Sequence, residues 1–110
     1  KNNTQNDALT FKTALPNEIW LHAKNIPGSH VVIRGGGEPP ERTLREAAAL
    51  AAYYSRARGG ENVPVDYTPR KYVKKPGGAK PGMVIYTTNR TVYATPDETL
   101  IKRLGREPRA

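Results

Sequence analysis

The sequence predicts an α+β domain: a mostly antiparallel sheet with one long alanine-rich helix packed on a face, a short N-terminal helix and a C-terminal helix. Three observations predict it. Residues 19–34 alternate apolar and polar side chains on either side of a Pro27-Gly28 turn, the pattern of two paired strands. Leu44, Ala47, Ala48, Ala51 and Tyr54 recur at helical spacing on one stripe. Residues 83–87 and 91–94 are β-branched and aromatic runs around Asn89-Arg90, which read as a second hairpin. The chain has 110 residues, enough for one domain with a modest core. There is no internal repeat and no domain boundary.

Residues 1–7 are polar and amide-rich, and Asn6 is placed to cap a short helix through Thr13. Pro16-Asn17 marks a turn. In the first hairpin, Ile19, Leu21 and Ala23 face a core. Trp20, His22 and Lys24 share the other face, joined after the turn by His30, Val32 and Arg34. Trp20 is expected to bury much of its area all the same, as large aromatics do.

Gly35-Gly36-Gly37 leads to the long helix. It lacks the Lys-Ser/Thr of a P-loop and the spacing of a dinucleotide fingerprint, and Glu38, Pro39 and Pro40 repel anions or lack amides, so it reads as a turn. Pro40 suits a helix's first turn, Glu41 and Arg45 are spaced to pair, and Arg56, Arg58 and Gly59-Gly60 mark the end. Tyr53 and Tyr54 read as core or rim. Residues 63–67 suggest a short edge strand, because Pro64 has no amide for a central ladder. Tyr72-Val73 suggests another. Thr95-Pro96-Asp97-Glu98 has the form of a capping box, with Leu100, Ile101 and Leu104 as the apolar side of the last helix, Gly105 its end and Arg106 to Ala110 a frayed tail.

Composition narrows the function classes. There is no cysteine, which excludes disulfides and thiolate metal sites and fits a reducing compartment. No apolar run approaches the roughly 20 residues of a membrane span, and the first residues lack the apolar core of a signal peptide. The formal charge is +8 and the pI about 10.0. Such an excess favours polyanions, and it is clustered as well as net: Arg70, Lys71, Lys74, Lys75 and Lys80 lie in an acid-free, Pro/Gly-rich stretch. With His22, Lys24, His30 and Arg34 on the hairpin, these residues form a candidate nucleic-acid surface, cations for phosphates and aromatics for bases, with RNA, DNA or an acidic membrane as the polyanions in view. The alternative for each histidine is a buried, hydrogen-bonded side chain. Two histidines, with Asp66 as the one further ligand type in view, do not make a metal site. Ser29, His30 and Asp66 are triad residue types, but no nucleophile elbow surrounds Ser29. No carboxylate pair is set for acid–base work. The sequence names no catalytic residue and no cofactor.

Trp20-Leu21-His22-Ala23-Lys24-Asn25-Ile26-Pro27-Gly28-Ser29-His30-Val31-Val32-Ile33-Arg34-Gly35 resembles the signature of the RNA-binding domain of NFACT proteins, the ribosome-associated quality-control factors, some of which carry the label fibronectin-binding protein. The likeness continues through the polar run Asn2 to Asp7, the alanine-rich helix from Thr43 to Ala51, Asn62 to Thr68, Tyr72 to Pro76 and Gly78 to Gly82. The resemblance implies a non-enzymatic RNA-binding module, a fragment of a longer multidomain protein. It further implies ribosomal RNA or tRNA as ligand, a place on the large ribosomal subunit with tRNA and stalled nascent chains, and a cytoplasmic location. It adds Asn2 and Asn3 to the candidate RNA contacts, and it implies a further strand upstream whose absence leaves one sheet edge open. The other readings are a fibronectin-binding adhesin or protein-interaction module and, weakest on residue grounds, an uncharacterised enzyme.

Overall fold

The computed structural model of the chain describes the backbone of residues 3–96 and 98–105 and the side chains of residues 4–96 and 98–102. The fold is α+β, as the sequence predicts. Helix α1 (Asn3–Ala8) runs into a single π-helical turn (Leu9–Thr13), which the Ala14 amide closes on the Leu9 carbonyl. Strands β1 (Ile19–Ala23) and β2 (Val31–Ile33) precede helix α2 (Glu41–Tyr53). Strand β3 (Val63–Pro69), a 3₁₀ turn (Arg70–Tyr72), β4 (Val73–Lys74), β5 (Ile85–Tyr86), β6 (Arg90–Ala94) and α3 (Glu98–Gly105) complete the order.

The main sheet is antiparallel with strand order β2-β1-β3-β6, and β4 pairs with β5 in a separate ribbon. Its register divides the side chains as the alternation predicts. Ile19, Leu21, Val63 and Val65 meet Ala47, Ala48, Ala51 and Ala52 of α2 in the core. Four alanines let the helix axis lie close to the strands, so a small chain closes its core with few large side chains. On the helix surface Arg45 and Glu41 pair at 2.8 Å.

The opposite face is not open. Trp20 is fully enclosed, and Asp66 and Thr68 beside it are buried. The N-terminal helical segment and the β4–β5 ribbon cover them, giving three layers: α2, sheet, and this mixed cover. The Trp20 ring lies 4.9 Å from that of Tyr86 and 5.2 Å from that of His30, measured between centroids.

Several local expectations are overturned. β3 is central, between β1 and β6, and not an edge. Pro64 is tolerated because it sits where β1 ends: its carbonyl accepts the Lys24 amide at 2.9 Å, and Asn25, with φ 58°, turns the chain away where the missing amide would have been used. Residues 83–94 do not form a hairpin. β5 pairs with β4, β6 pairs with β3, and Thr88 (φ 57°) turns the chain between them. Tyr72 belongs to the 3₁₀ turn, so the strand starts at Val73.

Asn6 is no cap. It is buried inside α1, donates to the Gly28 carbonyl and accepts the His30 amide, pinning the helix to the β1–β2 loop. α2 stops at Tyr53, before Arg56, Arg58 and Gly59, because Ser55 folds back on the Ala52 carbonyl and bridges to Gly28. Tyr53 and Tyr54 lie at the rim, ring to ring at 5.0 Å, with the Arg58 guanidinium over Tyr53. Thr95 accepts the Asn62 amide, and Ile101 is buried among the described side chains of α3; the capping box lies partly outside the described residues. Asp97, the Leu104 side chain and the tail from Arg106 lie outside the described residues.

Trp20→Ala would leave a void between the sheet and its cover. The expected cost is about 3–5 kcal/mol, the range for truncating a buried tryptophan. Urea denaturation followed by circular dichroism checks it, and a loss under about 1 kcal/mol would mean that the cover does not pack as described.

Candidate nucleic-acid interface

The register of β1, β3 and β6 sets His22, Asp66 and Thr91 side by side on the covered face. Asp66 is an acid in the middle of a sheet, 1% exposed. Its carboxylate accepts the Tyr86 hydroxyl at 2.6 Å, the Thr91 hydroxyl at 2.7 Å and the Lys24 ammonium at 3.2 Å. Burial alone would raise its pKa. The hydrogen bonds from Tyr86, Thr91 and Lys24 outweigh burial and hold the carboxyl below its usual range. The same contact, with burial first, raises the Tyr86 phenol above its ordinary value.

His22 stacks parallel to Trp20 at 5.8 Å and meets His30 edge-on at 5.2 Å. His30 is 3% exposed and its Nδ1 lies 2.7 Å from the Thr10 hydroxyl. Burial, and then the neighbouring His22, push the His30 pKa down to about 4. Burial also lowers that of His22. Both rings are therefore neutral near pH 7 and act through hydrogen bonds and packing, not charge. A cavity of about 410 Å³ opens beside them, between the β1–β2 loop and residues 81–84, with His22 and Tyr86 in its lining.

The predicted site residues separate into groups. His30 is interior. Arg70 donates to the Thr10 carbonyl at 2.7 Å and lies over the Phe11 ring, so it anchors the 3₁₀ turn to the N-terminal segment. Lys75 is tied to Asp7 at 3.1 Å and to the carbonyls of Lys80 and Met83, bracing the loop between β4 and β5. Lys24 belongs to Asp66. Arg34 is exposed and pairs with Glu18 at 3.6 Å. Glu18 is itself buried, and the amides of Leu15 and Gly35, then Arg34, hold its pKa low. Lys71, Lys74 and Lys80 are exposed on the ribbon and its approach, and no acid among the described residues pairs with them. Asn2 lies outside the described residues, and Asn3 is described by its backbone alone. No group of three or more His, Asp or Glu suited to a metal occurs among the described residues.

Sequence reasoning missed Asp7, Thr10, Tyr86 and Thr91. One signal was available: Asp66 interrupts the run Val65-Asp66-Tyr67, and an acid in a buried strand needs donors. Nothing in the sequence gave those donors' identities.

The NFACT protein RNA-binding domain matches residues 1–88 of the chain. The chain belongs to this family. Two relatives described as Rqc2 homolog RqcH bear on this NFACT domain. That of Bacillus subtilis (strain 168) is 57% identical over 103 residues, which are 93% of the chain and 18% of the relative. That of Streptococcus suis (strain 05ZYH33) is 50% identical over 104 residues, 94% of the chain and 19% of the relative. The chain thus spans about a fifth of the length of these curated relatives. A solved structure, the C-terminal part of the fibronectin/fibrinogen-binding protein from Streptococcus suis, superposes with a TM-score of 0.90 at 50% identity, covering 93% of the chain and 41% of that protein.

Two predictions concern the buried polar cluster of this NFACT domain. Tyr86→Phe removes one hydrogen bond to a charged, buried carboxylate, for an expected loss of about 1.5–3 kcal/mol. Amide exchange should accelerate in β4 and β5 more than in β1 and β3; equal acceleration everywhere would show that Tyr86 does not hold the ribbon.

The histidines make stability depend on pH. Their pKa values are lower in the folded chain than in the unfolded one, so the unfolded chain binds more protons in acid. Their contribution is fully present above about pH 6.5, the unfolded value, and falls away as the pH drops toward the folded value of about 4 for His30. The expected loss from His30 is roughly 3 kcal/mol across that window. Denaturation midpoints measured from pH 7.5 to pH 4.5 test it, and His30→Gln, which cannot titrate, should flatten the dependence.

Proposed function

We propose that this domain is the RNA-contacting, non-catalytic part of a ribosome-associated quality-control factor. In this reading it works in the cytoplasm on the large ribosomal subunit, where tRNA and a stalled nascent chain meet, and its ligand is ribosomal RNA or tRNA. The observation that carries the reading is the ribbon. In a domain of an RNA-binding family, it leaves Lys71, Lys74 and Lys80 exposed and without acidic partners. Lysine ammoniums presented on a short, glycine-rich ribbon suit phosphate contact, which needs charge but little fixed geometry. His22, which lines the cavity with Tyr86 of the ribbon, and Arg34, largely exposed although it pairs with Glu18, are further candidate contacts. Lys24, His30, Arg70 and Lys75 shape the surface from beneath, because their polar groups are already engaged.

The alternative is a protein-interaction module. It has support from one fact, the description of the structurally similar Streptococcus suis protein as fibronectin/fibrinogen-binding. RNA binding measured with and without excess fibronectin separates the two: RNA affinity that disappears under competition favours the protein partner.

Replacing Lys71, Lys74 and Lys80 with Ala should leave stability within about 0.5 kcal/mol, since exposed charges away from special sites contribute little to folding. RNA affinity should fall alike for unrelated sequences. The plot of log affinity against log salt should become shallower by about 2, from roughly 0.7 for each single-strand phosphate contact. An unchanged slope would remove the ribbon from the interface. The same substitutions in a full-length relative, followed by ribosome co-sedimentation, test the placement on the large subunit.

A further inference from the structure

The cavity beside His22 has a use that phosphate binding does not explain. Its volume of about 410 Å³ falls in the range of pockets that hold small organic groups, about 300–1,000 Å³. Its walls are Ile26 and Pro27 on the β1–β2 loop and Met83 and Val84 across from them. His22 and Tyr86 supply aromatic rings, and Asn25 supplies an amide. An apolar slot with a few polar edges does not suit a phosphate, which needs cations or bare amides. It suits a flat heterocycle with hydrogen-bonding edges.

We propose that this cavity receives one unstacked nucleobase of single-stranded RNA, held against the apolar walls and aromatic rings, with its edge hydrogen-bonded by His22 and Asn25. The inference rests on the RNA-binding reading above and adds to it a base-dependent contact.

Three further observations support it. His22 lines the cavity and burial keeps its ring neutral near pH 7, so it can meet a base edge without attracting a phosphate; its nitrogens also approach the backbone of Ala23 and Gly28. Positive charge adjoins the cavity in the chain: Lys80, exposed and with no acidic partner among the described residues, directly precedes Pro81 of the lining. The walls are also braced before any ligand arrives. The Gly82 amide donates to Asp7 at 3.0 Å, the Met83 carbonyl accepts Lys75, and Gly28 is bridged to Ser55. A preformed slot gives up little ordering entropy when it fills. Met83 is 58% exposed with no core to serve, as expected for an adaptable wall.

The test compares two labelled hexamers of equal charge, oligoadenylate and an abasic ribose-phosphate chain, by fluorescence anisotropy at several salt concentrations. The expected result is roughly tenfold tighter binding of oligoadenylate, the scale of one base held by stacking. Met83→Ala, which removes an exposed wall, and His22→Phe, which keeps the ring but not its nitrogens, should each shrink that gap several-fold. Met83→Ala should leave abasic affinity and the salt slope unchanged. Thermal melting confirms that the variants fold, and if His22→Phe does not, Met83→Ala decides alone. Equal binding of the two hexamers by the unmodified chain would overturn the base pocket while leaving RNA binding in place. A gap that persists in a folded Met83→Ala chain would overturn this location. Loss of the base-dependent component to a hexaglutamate competitor would assign the pocket to a peptide and overturn the proposal. Binding of neither hexamer, even at low salt, would remove both this inference and the RNA-binding reading.

Discussion

A carboxylate in the middle of a sheet is the constraint to which the rest of the structure answers. Asp66 lies between β1 and β6 with almost no solvent, and a buried charge is tolerated only where donors replace its water. Three elements provide them. Lys24 comes from the end of β1, Thr91 from β6 and Tyr86 from the ribbon. The Tyr86 bond has the largest structural consequence. It draws the ribbon across the sheet and so encloses Trp20 and Thr68, while the N-terminal segment closes over His30 through Asn6 and Thr10. Breaking such a pair on one side is costly even where the pair itself adds little net stability, because the orphaned charge stays inside. Asp66 is thus better viewed as fixing where the ribbon sits than as a source of stability.

That arrangement divides the positive charge of the chain by job. Lys24 is consumed in the fold by the buried Asp66, and Lys75 by the half-buried Asp7 and two carbonyls. A cation whose donors are used by a carbonyl and whose face rests on a ring, as in Arg70, is an architectural piece. Of the candidate contacts, those that no acid or carbonyl among the described residues has claimed are Lys71, Lys74 and Lys80, on and beside the ribbon. The net charge of +8 therefore overstates how many contacts the hairpin can make.

The alternation of residues 19–23 and the alanine stripe of α2 were legible because each records a single local period. Ile19, Leu21, Ala47 and Ala51 bury as the pattern requires. Family membership was legible from residues 20–35 for a related reason: a contiguous motif survives reading in one dimension. The errors fall where a distant partner decides. Pro64 looked like an edge residue because its missing amide is harmful in most central ladders, and the site at the end of β1 where it is harmless depends on how Asn25 turns. The run 83–94 looked like a hairpin because its halves are adjacent, but β5 is claimed by β4 and by Asp66. Asn6 looked like a cap because capping is what asparagine does locally. Its actual bonds, to Gly28 and His30, span more than twenty residues. The candidate site suffered most, since charge read along a sequence says nothing about which acid lies opposite.

The enclosed tryptophan bears on how such a small domain can engage RNA at all. A sheet that binds single strands through its face needs open aromatics on which bases stack. Here Trp20, at the middle of the sheet, is spent inward on Tyr86 and the two histidines, and the third layer covers it, while Tyr93 on the outer strand β6 stays exposed. In the proposed reading, recognition falls to the perimeter of the cover. The perimeter offers two things of different character: lysines on a ribbon, which respond to backbone charge, and a slot between two braced loops, which responds to shape. The first gives affinity that salt erodes and sequence does not tune. The second gives a preference for unpaired nucleotides over duplex, because a base must leave its stack to enter. In the proposed reading, a domain so built would distinguish exposed, single-stranded RNA from helical RNA without reading a sequence, and the buried carboxylate that positions the ribbon holds both features in one geometry.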